Sequence, residues 1–201
     1  FNLAGPKART TLQKLSDATL SNEAFPYMQV RDVEIAGVTC RAMRIGFTGE
    51  LSYELHCPTG YALHLWTALL EAGAEYDIRP FGVEAQRILR LEKAHIIVGQ
   101  DPDALSDPLS ADMAWAVKLD KADFLGKRSL LRISEAGIRQ RLVGFKMIRP
   151  DVVPEEGLQI VQAKTDDRPE IIGWVTSSRW SPTLQEAIGL CWLPADLAAQ
   201  D

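Results

Sequence analysis

Glu54 is the carboxylate in this chain with the most to explain. It lies in Leu51-Ser-Tyr-Glu-Leu-His-Cys57, directly after the corner Thr48-Gly49-Glu50. Strict alternation sends Leu51, Tyr53, Leu55 and Cys57 to one face of a strand, and Ser52, Glu54 and His56 to the other. A carboxylate between apolar neighbours on an interior strand is costly to desolvate without a partner. Glu54 therefore calls for an arginine of this chain or for a ligand with N–H donors. Glu50 raises the same question less sharply, because a corner is usually wet. Farther along, Gly82-Val-Glu-Ala-Gln-Arg-Ile-Leu-Arg-Leu-Glu-Lys93 has helical spacing. On its wheel Phe81, Ala85, Ile88 and Leu89 share a face, with Arg87 and Arg90 roughly opposite. Those arginines either form a solvated basic face, with Glu84 pairing to Arg87 one turn on, or point into a ligand site. The pattern leaves both readings open.

Other chemistries find little support. Cys40, Cys57 and Cys191 are scattered, as are His56, His64 and His95, and no pair has metal-ligand spacing. The cysteines fit a reducing compartment as buried thiols. Gln100 to Asp112 holds four aspartates without the spacing of a calcium loop, so a solvated loop is expected. Gly126-Lys127 lacks the upstream glycine of a phosphate loop. The formal net charge of −5 and the lack of a long basic run give no general attraction to nucleic acid or to an anionic membrane. No apolar stretch approaches the roughly 20 residues of a spanning helix. The first residues show no charged segment followed by an apolar one, so no secretory leader is expected and the expected location is cytoplasmic.

A composition of 46% hydrophobic and 24% charged residues describes a globular chain of one or two domains. Proline at the first helical position predicts a helix from Pro6 to about Ser16. Tyr27 to Ile35 and Val38 to Phe47 predict a hairpin closed at Ala36-Gly37, and Leu51 to Cys57 a third strand. Helices follow from Gly60 to about Ala72, with Thr59 as N-cap, Gly73 at the C-terminus and Leu65, Trp66, Leu69 and Leu70 as the core stripe, and from Gly82 to about Lys93. This is an α+β layer, an antiparallel sheet with helices on one side. His95 to Gly99 is a short β-branched run, Met113 to Leu119 reads as a strand, and Asp123 to Leu131 starts a short helix. After about Ile138 come short strands at Arg141 to Met147, Leu158 to Gln162, Ile171 to Thr176 and Ala187 to Leu193. Turns at Arg149-Pro150, Pro154-Glu-Glu-Gly157, Asp166-Asp167 and Ser181-Pro182 separate them, which suggests a small barrel or sandwich. The division falls near 133–140, giving domains at 1–135 and 140–201.

Four motifs in order carry a family resemblance. Phe47-Thr-Gly-Glu-Leu-Ser-Tyr-Glu54 with Gly82 to Lys93, then Gly126-Lys-Arg-Ser-Leu130, Gly173-Trp-Val-Thr-Ser-Ser178, and Ser181-Pro-Thr-Leu184 with Ala187-Ile-Gly-Leu190 resemble the folate-binding aminomethyltransferases, the glycine-cleavage T-protein family. Within it, Ile97-Val-Gly-Gln-Asp101 and Pro154-Glu-Glu-Gly-Leu-Gln-Ile-Val161 look closest to the C-terminal domain of the sarcosine oxidase alpha subunit, and dimethylglycine dehydrogenase carries a related domain. The resemblance implies the ferredoxin-like half of the T-protein fold followed by a C-terminal β-barrel. It also implies tetrahydrofolate in a central hole between three subdomains, accepting a one-carbon unit from an amine donor to give 5,10-methylenetetrahydrofolate. On this reading Glu54 faces the pterin amino and ring N–H groups with Arg87 beside it, while Tyr53 and Glu50 complete the folate-binding set by shaping and bracing the strand.

The family pattern begins well before the part matching Gly5-Pro-Lys-Ala-Arg9. The chain is thus expected to be a fragment, with the proton-handling aspartate upstream, and partner subunits or that N-terminal region completing the site. Two alternatives stand beside transfer chemistry. One is a non-catalytic folate-binding module, whose usual cysteine motif is absent from Lys93-Ala-His-Ile-Ile-Val-Gly-Gln100. The other is a buried Glu54–Arg87 ion pair that binds nothing, which would add little net stability.

Overall fold

The computed structural model describes residues 1–163 and 168–198, and the chain packs as two units, Phe1–Lys93 and Ala94–Asp201. In the first unit, strands β1 (Asn2–Ala4), β2 (Val30–Ile35), β3 (Val38–Met43) and β4 (Ser52–His56) form an antiparallel sheet in the order β1-β4-β3-β2. Ala36 and Gly37, with φ of 50° and 75°, close the β2–β3 hairpin. Two positive φ values in succession give the turn whose twist suits paired strands. Helices α1 (Ala8–Gln13), α2 (Ala62–Gly73) and α3 (Val83–Glu92) complete the unit.

Alternation along β3 and β4 fixes which sheet face the core occupies. Val38, Cys40 and Ala42 of β3, and Tyr53 and Leu55 of β4, are buried together with Leu12 of α1 and Leu65 and Leu69 of α2. Each fully buried Leu, Ile or Phe contributes about 1.5–3 kcal/mol, so this layer holds the unit together. The expected antiparallel sheet with helices packed on it is what forms. Strand β1 is an addition that the sequence did not signal, since three residues carry no readable alternation. Its pairing with β4 is what makes β4 an interior strand. Gly73 also differs from expectation. Its φ is −92°, so it does not end α2 as a left-handed cap. It is there for close packing instead: a Cβ would come within 2.8 Å of the Ile78 side chain.

In the second unit, α4 (Lys127–Ala136) precedes β5 (Gln140–Lys146), β6 (Gln159–Gln162), β7 (Glu170–Ser181) and β8 (Glu186–Pro194), an antiparallel sheet in the order β5-β8-β7-β6. The register shifts between Ile160 and Val161 and between Val175 and Ser177. Such bulges raise local twist and let a small sheet curl. The four strands expected after Ile138 are all present. Met113 to Leu119 is not a strand: it holds a single 3-10 turn at Ala114–Ala116, with Trp115 69% exposed. Ile96-Ile97-Val98 also forms no strand. In both stretches β propensity finds no neighbouring strand to pair with. The turn expected at Asp166-Asp167 lies outside the described residues. The 133–140 division falls inside this second unit, whose packing begins at Ala94. Among the described residues no helix is long and apolar enough to cross a membrane.

Candidate functional site

β4 positions Glu54. Asn2 lies opposite it on β1 and Met43 opposite it on β3, and no register shift interrupts the strand. Cross-strand partners share a face, so Asn2, Arg41, Met43, Ser52, Glu54 and His56 stand together on the face turned away from α1 and α2. The Ser52 hydroxyl donates to Asn2 Oδ1 at 2.9 Å. His56 Nε2 stands 3.5 Å from Glu54 Oε2, and the glutamate side chain is 34% exposed. Two residues apart on one strand, they form a local pair that leaves most of the carboxylate's acceptor capacity open.

Tyr53 takes the opposite face. Its ring is fully buried, 5.9 Å from that of Phe25, and its hydroxyl accepts from Arg9 Nε at 3.0 Å. A side chain without exposed surface offers a ligand nothing, so its place is to brace β4. Glu50 is exposed in the bend leading into the strand. That bend is shaped by two glycines. A Cβ on Gly46 would meet the Glu50 carbonyl at 2.8 Å, and one on Gly49, whose φ is 80°, would strike the Lys93 stem. Lys93 follows α3 directly, so its stem brings the end of that helix against the corner before Glu54. Thr48, in the same corner, is buried, and its Oγ1 has no hydrogen-bond partner. Sequence reasoning missed Thr48, because a threonine in a turn reads as solvated.

α3 presents Arg87 with its side chain 34% exposed and paired to Glu84 Oε1 at 3.4 Å. Glu54 thus meets His56 two residues along its own strand, and Arg87 meets Glu84 one turn back on α3. Of the two readings left open for these arginines, a solvated basic face does not hold for Arg90: it is 1% exposed beside Leu91. Three residues on from Arg87 it has turned about 60° back around the helix, which is enough to carry it inside.

The second unit contains a polar core that the sequence reading took for a solvated loop. Asp101 is 2% exposed. Its Oδ1 accepts from Thr176 Oγ1 at 2.7 Å and Ser177 Oγ at 2.5 Å, and its Oδ2 from the Ile97 N–H at 2.7 Å. Gln100 Nε2 donates to Ser177 Oγ, and Trp192 Nε1 to the Asp101 carbonyl. The other aspartates of that segment behave as expected of loop residues. Asp107, for example, caps the Leu109 and Ser110 N–H groups. Among the described residues no three His, Cys, Asp or Glu side chains gather as a metal site.

Residues 1–121 match the GCVT N-terminal domain family, and residues 140–201 match the glycine cleavage T-protein C-terminal barrel domain. The chain belongs to the glycine cleavage T-protein family. An aminomethyltransferase from Caldanaerobacter subterraneus subsp. tengcongensis is 40% identical over 196 residues, spanning 98% of this chain and 50% of that protein. The sarcosine oxidase alpha subunit of Corynebacterium sp. (strain P-1) is 38% identical over 94% of this chain and 20% of its own length. Human mitochondrial dimethylglycine dehydrogenase is 34% identical, over 98% and 22%. The crystal structure of the Bartonella henselae glycine cleavage system aminomethyltransferase T superposes with a TM-score of 0.77 at 26% identity, covering 96% of this chain and 50% of that one. The chain thus spans about half the length of the curated aminomethyltransferases it matches.

Proposed function

We propose that this T-protein family chain carries the pterin-orienting part of a tetrahydrofolate-dependent one-carbon transferase. The reaction takes an aminomethyl or methylene unit from a small amine donor to give 5,10-methylenetetrahydrofolate, in a stand-alone aminomethyltransferase or in the folate domain of an amine oxidase or dehydrogenase. The observation that carries this reading is Glu54: a carboxylate about a third exposed, on an interior strand and on the polar face of the sheet. Its open acceptor positions suit the paired N–H donors of a planar pterin, a charge-assisted contact that fixes orientation as well as affinity. The orphaned Thr48 Oγ1 in the adjoining corner also fits a ligand at this end of β4, so the residues present suit the group.

Tetrahydrofolate when bound supplies the nucleophilic nitrogens that take up the one-carbon unit; the protein binds and orients. Glu54 sets the plane of the pterin, and Arg87 adds a cation from α3. The Lys93 stem against Gly49 holds the corner before Glu54 in place. Tyr53 keeps β4 in register from beneath. No residue of this chain is assigned the proton transfer, and the site is placed in the cytoplasm. Isothermal titration of tetrahydrofolate into the protein tests the reading. Saturable binding of one equivalent is expected, and the absence of heat at millimolar folate would count against it.

A further inference from the structure

The β3–β4 register pairs Arg41 with His56, Ala42 with Leu55 and Met43 with Glu54. One further step in the same register sets Cys40 opposite Cys57. The other side of β4 decides which kind of pair this is. The Phe1 amino group donates to the Leu55 carbonyl, the Leu55 N–H donates to the Phe1 carbonyl, and the Gly5 N–H donates to the Leu51 carbonyl. The backbone groups of 51, 53 and 55 therefore turn to β1, and those of Glu54 and His56 turn to β3. On β3 the Arg44 N–H donates to the Gln29 carbonyl, so even-numbered residues there turn to β2. Both strands give the same result: continued one residue past the end of β4, the pattern makes Cys40 and Cys57 a non-hydrogen-bonded pair. In such pairs the Cα atoms stand about 4.5 Å apart and the side chains are at their closest, a separation a disulfide accepts.

Both thiols lie on the core face. Cys40 is fully buried and Cys57 is partly buried against the same cluster. Burial raises the Cys40 thiol above its ordinary value, and nearby Cys57 raises it further, which agrees with the closeness of the two sulfurs.

We propose that Cys40 and Cys57 form a reversible dithiol–disulfide site that reacts with low-molecular-weight disulfides. Cys57, the accessible member, attacks as its thiolate and expels one small thiol, leaving a mixed disulfide. Cys40 then loses its proton and attacks the Cys57 sulfur, expelling the second small thiol. Two protein thiols become one disulfide, and one small disulfide becomes two thiols. The crosslink closes the chain segment that contains the Thr48–Glu50 corner and Glu54, so oxidation pins the strand on which the candidate site stands.

The test uses the native protein and oxidised glutathione, followed by thiol counting, intact mass and a non-reducing tryptic map. Arg41 and Arg44 lie between the cysteines, so trypsin converts a disulfide into two linked peptides. The expected result is loss of two of the three thiols, a mass lower by two hydrogens, the Cys40 and Cys57 peptides joined, and Cys191 free. Thermal melting should rise by about 5–10 °C, as closing a loop of this length implies. In Cys57→Ser the two remaining buried thiols should survive the same treatment. The proposal is overturned if the wild type keeps all three thiols, if it stops with glutathione on Cys57 and Cys40 still free, or if two chains join through Cys57.

Discussion

Tyr53 and Glu54, neighbours on β4, stand on opposite sides of the sheet. The tyrosine is sealed in the core with its hydroxyl on Arg9, and the glutamate is a third open beside His56. This division separates stability from binding. Tyr53→Phe keeps the ring and loses one hydrogen bond, so it should cost about 1 kcal/mol of stability and leave folate affinity unchanged. Urea unfolding beside a folate titration checks both halves.

Gly49 is fixed by two constraints at once, its φ of 80° and the Lys93 stem. Gly49→Ala should destabilise the first unit by about 1–2 kcal/mol from the left-handed backbone alone. Adding Lys93→Ala should relieve the steric part but not the strain. A double-mutant cycle by chemical denaturation should therefore show a coupling between the two positions.

Asp101 holds three donors in the core of the second unit. Asp101→Ala removes the acceptor of Ser177 Oγ and of the Ile97 N–H, while Thr176 Oγ1 keeps the Leu190 carbonyl at 3.1 Å, and each buried donor left unsatisfied costs about 1–3 kcal/mol. A loss of about 3 kcal/mol or more is expected, against a smaller loss for Ser177→Ala. Trp174 and Trp192, stacked 6.1 Å apart in that unit, supply the fluorescence signal for the unfolding curves.

The sequence made some of this legible and hid the rest for definable reasons. Alternation placed Tyr53 and Leu55 inside and Glu54 outside, because period two is fixed by the pleat whatever the surroundings. The hairpin at Ala36-Gly37 and the four strands after Ile138 were legible from β-branched runs bounded by turn residues. Burial of Asp101 was not: its partners Thr176 and Ser177 are far away in the chain, and an aspartate among prolines and other aspartates carries only a loop signal. The environment of Arg90 stayed open because a helical wheel describes one helix and not what packs over it. Met113 to Leu119 has the composition of a strand but no neighbour to pair with. The family resemblance supplied folate, which no spacing of residues in this chain does.

Cys191 gives a pH dependence. Burial pushes its thiol up to about 11 from the ordinary 9.0. The neutral form is thus favoured in the folded state, so its stabilisation is fully present below 9.0 and is lost as pH rises through about 11. Melting temperatures of the wild type and Cys191→Ala, followed from pH 8 to 11, should converge at the alkaline end. Parallel curves would assign the difference to packing alone.

Glu54→Gln is the most direct test of the central claim, because it keeps the side chain's shape and removes its charge. Isothermal titration of tetrahydrofolate into the wild type and Glu54→Gln, with melting curves for both, separates binding from folding. Affinity should fall about 10- to 100-fold, the loss of a charge-assisted hydrogen-bond pair, with the melting temperature unchanged within a degree or two, as expected for a partly exposed side chain. Equal affinities for the two proteins would contradict the central claim.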